Sequence, residues 1–236
     1  KHFIAKFVSS TDVYPVVKAE YIAMRLAALA GLNVAPVSLV SSLGKDVLMI
    51  KRFDRVDTPT GKARRLMLSG LSLLELNEME ARYASYSDLA DRIRQRFDEP
   101  QATLVELFKR LVFNVLVGNT DDHARNHSAF WDGRHLSLTP AYDICPQLRT
   151  GQEATQAMDI GGIAGKAATL VNVLSVCGKF QLRESDARAM IEQLISVVED
   201  NWRRVCDEAC LATIERDQLW GRALLNPYCM QDWASA

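Results

Sequence analysis

The chain has 236 residues, 48% hydrophobic and 24% charged, and its 28 basic and 29 acidic side chains leave a net charge of −1. This is the composition of an ordinary globular protein with enough length for a sizeable core, which excludes the disordered and fibrous classes. Near-neutral charge argues against binding nucleic acid through overall charge, and no apolar run approaches the roughly 20 residues that a membrane span needs.

At about 150 residues per domain, the length predicts one large domain or two unequal lobes. The sequence opens on Lys1-His2-Phe3 with no Met, which reads as mid-strand and leads us to expect residues ahead of this segment. FIAKFV (3–8) reads as a strand with Lys6 inside it. A polar turn follows, and Pro15 suits the first turn of a helix over about 15–30, with Ala19, Ala23, Leu26, Ala27 and Ala30 at helical spacing and a stop at Gly31. VAPVSLV (34–40) and DVLMIKRF (46–53) flank Gly44-Lys45 and read as a hairpin. Composition then shifts at DTPTGK (57–62), a loop by its Pro and Gly.

Beyond that loop the pattern is mostly helical, with apolar residues at 3.6-residue spacing near 70–80, 86–97, 101–117, 184–203 and 205–215. Leu104, Leu107, Phe108, Leu111 and Val115 make the helix over 101–117 apolar enough to be central. Asp132-Gly133 between AFW and RHLSL is a strong hairpin signal. The five cysteines, Cys145, Cys177, Cys206, Cys210 and Cys229, form no CxxC pair and no metal quartet. They read as reduced, mostly buried thiols of a cytoplasmic protein. Trp202, Trp220 and Trp233 read as packing anchors. Lys62, Arg64 and Arg65 make a basic loop suited to an acidic or phosphate-rich partner, whereas the DRIRQRF arginines (91–97) read as a solvated face.

The chemistry-bearing residues follow the central helix. GNTDDHARN (118–126) is followed by the hairpin and then by TPAYDI (139–144), so the fold-back can bring Asp121, Asn126 and Asp143 to one mouth. Two oxygen ligands, Asn126 and Asp143, suit Mg²⁺, which keeps waters and phosphate oxygens in its shell. Asp121 could take a proton from an attacking hydroxyl. Phosphoryl transfer also needs a cation for the nucleotide phosphates, fixed by a carboxylate. Lys6 on the first strand and Glu20, among small apolar residues of the next helix, fit that need. Taken singly, Asp121 and Asp122 could equally cap a helix, and His123 could be a satisfied structural histidine.

Together, IAKF, VVKAEYIAMRLAALAGLNVAP, IKRFDR, GNTDDHARNHS, LTPAYDI and MDIGG resemble the C-terminal kinase domain of the HipA family, serine/threonine kinases of bacterial type II toxin–antitoxin systems. The resemblance implies a two-lobed, protein-kinase-like α+β fold. Residues 1–55 would be what remains of a truncated N-terminal β lobe, and residues 56–236 a mostly helical C-terminal lobe carrying the catalytic and metal loops. It implies ATP and Mg²⁺ as cofactors and a protein serine or threonine as substrate. Lys6 would anchor phosphates with Glu20 as its helix partner, Arg52 and Phe53 would border the adenine, and His123 and Arg125 would touch phosphates. Asp121 would be the catalytic aspartate, with Asn126 and Asp143 as metal ligands. The family's phosphate-covering loop and autophosphorylated serine would precede Lys6. Partners implied are an antitoxin with a helix-turn-helix DNA-binding domain, DNA only through it, and a translation component such as an aminoacyl-tRNA synthetase as target. No membrane association is expected. The Asp-x-x-x-x-Asn spacing also fits a small-molecule kinase of the aminoglycoside or choline type, and a degenerate kinase-fold binding module is the reading outside the enzyme class.

Overall fold

A computed structural model of the chain describes residues 2–149, 151 and 153–235. The first strand, β1 (Phe3–Phe7), lies at one side of an antiparallel sheet completed by β2 (Val37–Ser42) and β3 (Lys45–Lys51), in the order β1-β3-β2 with Lys6 opposite Leu48. Helix α1 (Val16–Leu29) starts directly after Pro15 and covers this sheet with Val17, Ala19, Ile22, Ala23, Leu26 and Ala27. Its small residues let the helix approach the sheet closely. Glu20 comes down on the same buried face and is 2% exposed.

The stretch expected to be a loop at 57–62 is instead a two-stranded hairpin, β4 (Arg55–Thr58) and β5 (Gly61–Arg64), turning at Pro59 and Thr60. The Pro and Gly there mark the turn and not a general loss of structure. A further strand that the periodicity did not signal, β6 (Leu66–Ser69), pairs with β7 (Ser128–Trp131), which pairs with β8 (Leu136–Leu138) across the expected Asp132-Gly133 turn. Four residues are too few to show a repeat, so β6 is defined by its partner.

The helical expectations hold in the centre and fail at the edges. Between 70 and 80 the helix is only α2 (Gly70–Leu73), followed by a 3₁₀ turn at Glu78–Tyr83 capped by Asn77. Next come α3 (Tyr86–Arg96) and α4 (Pro100–Val117), the latter buried along almost its whole last three turns. After the short α5 (Leu170–Ser175), a single helix α6 (Glu184–Glu208) replaces the two expected over 184–203 and 205–215. Its buried stripe, Leu194, Val198, Trp202, Val205 and Cys206, runs through the expected break. The chain turns only at Cys210, at φ 48°, before α7 (Thr213–Leu219). Trp202 stacks near Trp220 at 5.2 Å, and Trp233 is buried. All five cysteines are free, and only Cys210 is exposed. Among the described residues no helix is long and apolar enough to cross a membrane.

Two features of α4 position the site. Arg110, 2% exposed, donates to the carbonyls of Asn33 (3.1 Å) and Thr139 (2.9 Å) and to Glu106 (2.8 Å). Backbone bonds between Ala35 and Ala141 (2.9 Å) and between Ala141 and Asn33 (2.8 Å) join the same two segments. At its end, Gly118 takes a left-handed φ of 68°, and a Cβ there would lie 2.5 Å from the Ala223 carbonyl oxygen. The helix therefore stops at Gly118 and releases the chain into the Asn119–Asn126 loop. We expect Arg110→Leu to lower unfolding free energy by about 2–4 kcal/mol in urea denaturation, because two buried carbonyls and part of Glu106 lose their donor.

Candidate active site

The Lys6 amine is the meeting point of three elements. It donates to both carboxylate oxygens of Glu20 (2.7 and 2.8 Å) and to Oδ1 of Asp143. Strand β1 points Lys6 across the sheet edge, α1 delivers Glu20 from above, and the segment after β8 delivers Asp143 in a left-handed conformation, φ 60°. Burial would pull the Lys6 amine down, but the two carboxylates outweigh it and hold the amine above its ordinary value. Burial pushes the Glu20 carboxyl above the usual carboxylate range, with Lys6 opposing it only in part.

Two cavities open on either side of this pair of contacts, and Lys6 and Asp143 line both. One, of about 330 Å³, is walled by Ile4, Ile50, Met67 and Tyr142 and by the stretch Lys51–Asp54. It has the size and apolar walls of a small-ligand pocket. The other, of about 260 Å³, is polar and includes Glu20, Asn119, Asp121, Asn126, Cys145 and Gln147. Lys6, Glu20, Asp121, Asn126 and Asp143, far apart in sequence, thus surround one space. Asp121 is exposed to it, and the side-chain amide of Asn126 donates to the Asp121 carbonyl at 3.4 Å, leaving the Asn126 amide oxygen as the atom able to take a cation. Among the described residues no group of three His, Cys, Asp or Glu could hold a metal alone. The oxygen donors of Asn126 and Asp143 fit a hard cation that takes its remaining oxygens from phosphate and water, as Mg²⁺ does.

Arg52 and Phe53 both line the apolar cavity. The Arg52 guanidinium is engaged bidentately by Asp54 (2.8 and 2.6 Å), and the Phe53 ring packs against Tyr142 (5.7 Å) and Phe130 (5.9 Å). His123 and Arg125, expected at phosphates, line neither cavity. Arg125 pairs with Glu78 at the start of the 3₁₀ turn, and the buried Nδ1 of His123 has no hydrogen-bond partner among the described residues. His123 caps the 3₁₀ step at Ala124–Asn126 and Arg125 lies within it, where successive side chains leave about 120° apart.

Several lining residues escaped the sequence reading. Asn119 is buried and bonds Asn114 (3.1 Å) and, weakly, the Asp143 carbonyl (3.5 Å). The Gln147 amide donates to Gly118 at 3.0 Å, so the segments on both sides of the polar cavity are laced together. Cys145 presents a thiol that burial pushes up to about 12. The signal was available only as proximity to GNTDD and PAYDI.

A model of the HipA-like C-terminal domain matches residues 1–202. The chain belongs to this family. Y4mE of Sinorhizobium fredii is 31% identical to this HipA-like domain over 146 residues, 60% of this chain and 33% of that protein. The serine/threonine-protein kinase toxin HipA of Shewanella oneidensis is 28% identical over 141 residues, 53% of this chain and 33% of that protein. The matched segment thus spans about a third of the length of these relatives. Among solved structures, a chain of the Shewanella oneidensis HipA, HipB and operator DNA complex superposes with a TM-score of 0.78 at 22% identity, covering 93% of this chain and 57% of that one. The Helicobacter pylori proinflammatory kinase CtkA gives 0.68 at 16% identity, covering 99% and 88%. These likenesses show the expected kinase-like α+β fold.

The Lys6–Glu20 pair yields a prediction with a defined sign. Without the amine, nothing opposes the burial that raises Glu20. A carboxyl whose folded value lies above its unfolded one holds its proton more tightly when folded, so its contribution to stability falls as pH rises through the window between them. Lys6→Met should therefore cost about 2 kcal/mol of unfolding free energy at pH 7, and less at pH 5, in urea titrations. An equal loss at both pH values would contradict this account of Glu20.

Proposed function

We propose that this domain carries out ATP- and Mg²⁺-dependent phosphorylation of a protein serine or threonine as the catalytic part of a HipA-like toxin kinase. The observation that carries the reading is the single cleft in which an apolar cavity and a polar one meet at Lys6 and Asp143, with Asp121 and Asn126 on the far wall. An adenine fits the apolar side, against Ile4, Ile50, Met67 and Tyr142, with the backbone of Lys51–Phe53 offering hydrogen-bonding groups. Lys6, fixed by Glu20, would hold the non-transferred phosphates. Mg²⁺, when bound, would neutralise charge developing on the phosphates, and Asn126 and Asp143 are the residues that would hold it. Asp121 would orient the attacking hydroxyl and accept its proton. We place the division between the nucleotide-covering part and the part with the catalytic loop near residue 55.

Membership in the family supports the same reading, as does the likeness to the Shewanella oneidensis serine/threonine-protein kinase toxin HipA. The structure of that toxin with HipB and operator DNA supports an antitoxin as partner of the whole protein, with DNA reached through it. A cytoplasmic location and a translation component as target complete the proposal. His123 and Arg125 lie outside both cavities, and we assign them no contact with the nucleotide.

The test separates binding from transfer. Asp121→Gln should leave the calorimetric Kd for ATP with Mg²⁺ within about twofold of the wild type. Transfer of labelled γ-phosphate to protein should fall by at least about 100-fold. Undiminished transfer sinks the assignment of Asp121.

A further inference from the structure

The neighbour of Asp121 faces the other way. Asp122 is 2% exposed, accepts a hydrogen bond from the Tyr86 hydroxyl, and has Oδ1 2.9 Å from Nε2 of His127. Tyr86, the first residue of α3, is fully buried, and its ring meets the His127 imidazole edge-on at 5.3 Å. Taking a carboxylate out of water is unfavourable unless it is well bonded, so Asp122 stays buried by virtue of the Tyr86 hydroxyl, with Nε2 of His127 close by but out of line for a hydrogen bond. The contact closes a loop. Asp122 and His127 bracket the residues between them, Asn126 is one of these, and Asp121 is the residue just before.

A second clamp acts on the same loop from α2. The Gly70 amide donates to the His127 carbonyl, and a Cβ on Gly70 would lie 2.5 Å from the Ala124 carbonyl oxygen. On a third side, the Ala157 amide donates to the Thr120 carbonyl at 3.0 Å. Of two successive carboxylates in an irregular loop, one is driven into the protein, and the peptide between them then turns the other outward.

We propose that Asp122, held by Tyr86 and His127, is a positioning residue that sets Asp121 and Asn126 against the polar cavity. This rests on the phosphoryl-transfer reading given above. None of the three lines either cavity, so their effect falls on the geometry of transfer and leaves nucleotide binding intact. A displacement of about 1 Å at a catalytic group is enough to lower a rate by about 100-fold.

The variants are Tyr86→Phe, which removes one hydroxyl, Asp122→Asn, which keeps shape and loses charge, and the pair together. In each single variant kcat for transfer should fall by about 10- to 100-fold, while KM and the calorimetric Kd for ATP with Mg²⁺ stay within about threefold. The double variant should be no worse than the poorer single one, because both act through one contact. Amide hydrogen exchange gives a readout independent of activity: in Tyr86→Phe, residues 119–127 should exchange at least about tenfold faster, with β1 and α1 unchanged. Unchanged exchange in that loop overturns the inference. So does a fall in melting temperature with kcat of the folded protein unaltered, or a parallel loss of kcat and nucleotide affinity. If the wild type transfers no phosphate while the loop exchanges as expected, the phosphoryl-transfer reading fails and the anchoring of the loop by Asp122 stands.

Discussion

Arg110 lies in the buried half of α4, where a guanidinium is stable only if oxygen replaces the water it has lost. The oxygens come from Glu106 one turn away and from the carbonyls of Asn33 and Thr139. Those carbonyls belong to the segment after α1 and the segment after β8, which are more than 100 residues apart in sequence. By needing both, Arg110 holds the two segments side by side, and the backbone bonds between 33–35 and 141 continue the seam. Asp143 follows two residues later and reaches Lys6 for this reason. The sheet, α1 and the loops that carry Asp121 and Asp143 share a cleft because one buried charge on α4 requires acceptors from each side of it.

The site treats its charges in two ways. Glu20 and Asp122 are buried and bonded, and their work is to hold other groups: Glu20 holds Lys6, and Asp122, bonded by the Tyr86 hydroxyl, holds the loop before Asn126. Asp121 and Asp143 are accessible to the polar cavity, Asp143 while accepting from Lys6, and on the function proposed above they are the carboxylates that serve the chemistry. The contrast follows from solvation. A carboxylate sunk in apolar surroundings keeps a fixed geometry only through its partners, whereas one at a cavity wall remains available to a cation or a proton.

Much of the fold was legible along the sequence. The apolar period of 101–117, the Pro15 start and the Asp132-Gly133 turn each encode a local preference that the tertiary structure obeys. Readings failed where a segment has no period long enough to count, or where a turn residue was taken for a break. Strand β6 exists because β7 offers it a partner, and the β4–β5 hairpin needed Pro59 only at its tip. The split of α6 failed because its buried stripe continues in register past residue 204. At the site, the residue types and their order pointed to Lys6, Glu20, Asp121, Asn126 and Asp143, all of which surround the polar cavity. Arg125 lines neither cavity and pairs with Glu78, a contact that spacing along the sequence does not reveal.

The near-neutral chain of 236 residues determined by itself that there would be a sizeable apolar core, a β-rich beginning, a helical remainder and a set of carboxylates and amides after the central helix. Those are consequences of composition and of local periodicity, which a linear string carries in full. Tertiary structure alone decided which of two adjacent aspartates faces the cavity, that the Arg125 guanidinium turns away from it, and that Lys6 stands between two carboxylates and two cavities. Burial is a property of the packed molecule. A side chain is driven inward or left at a wall by groups that the sequence places dozens of residues away.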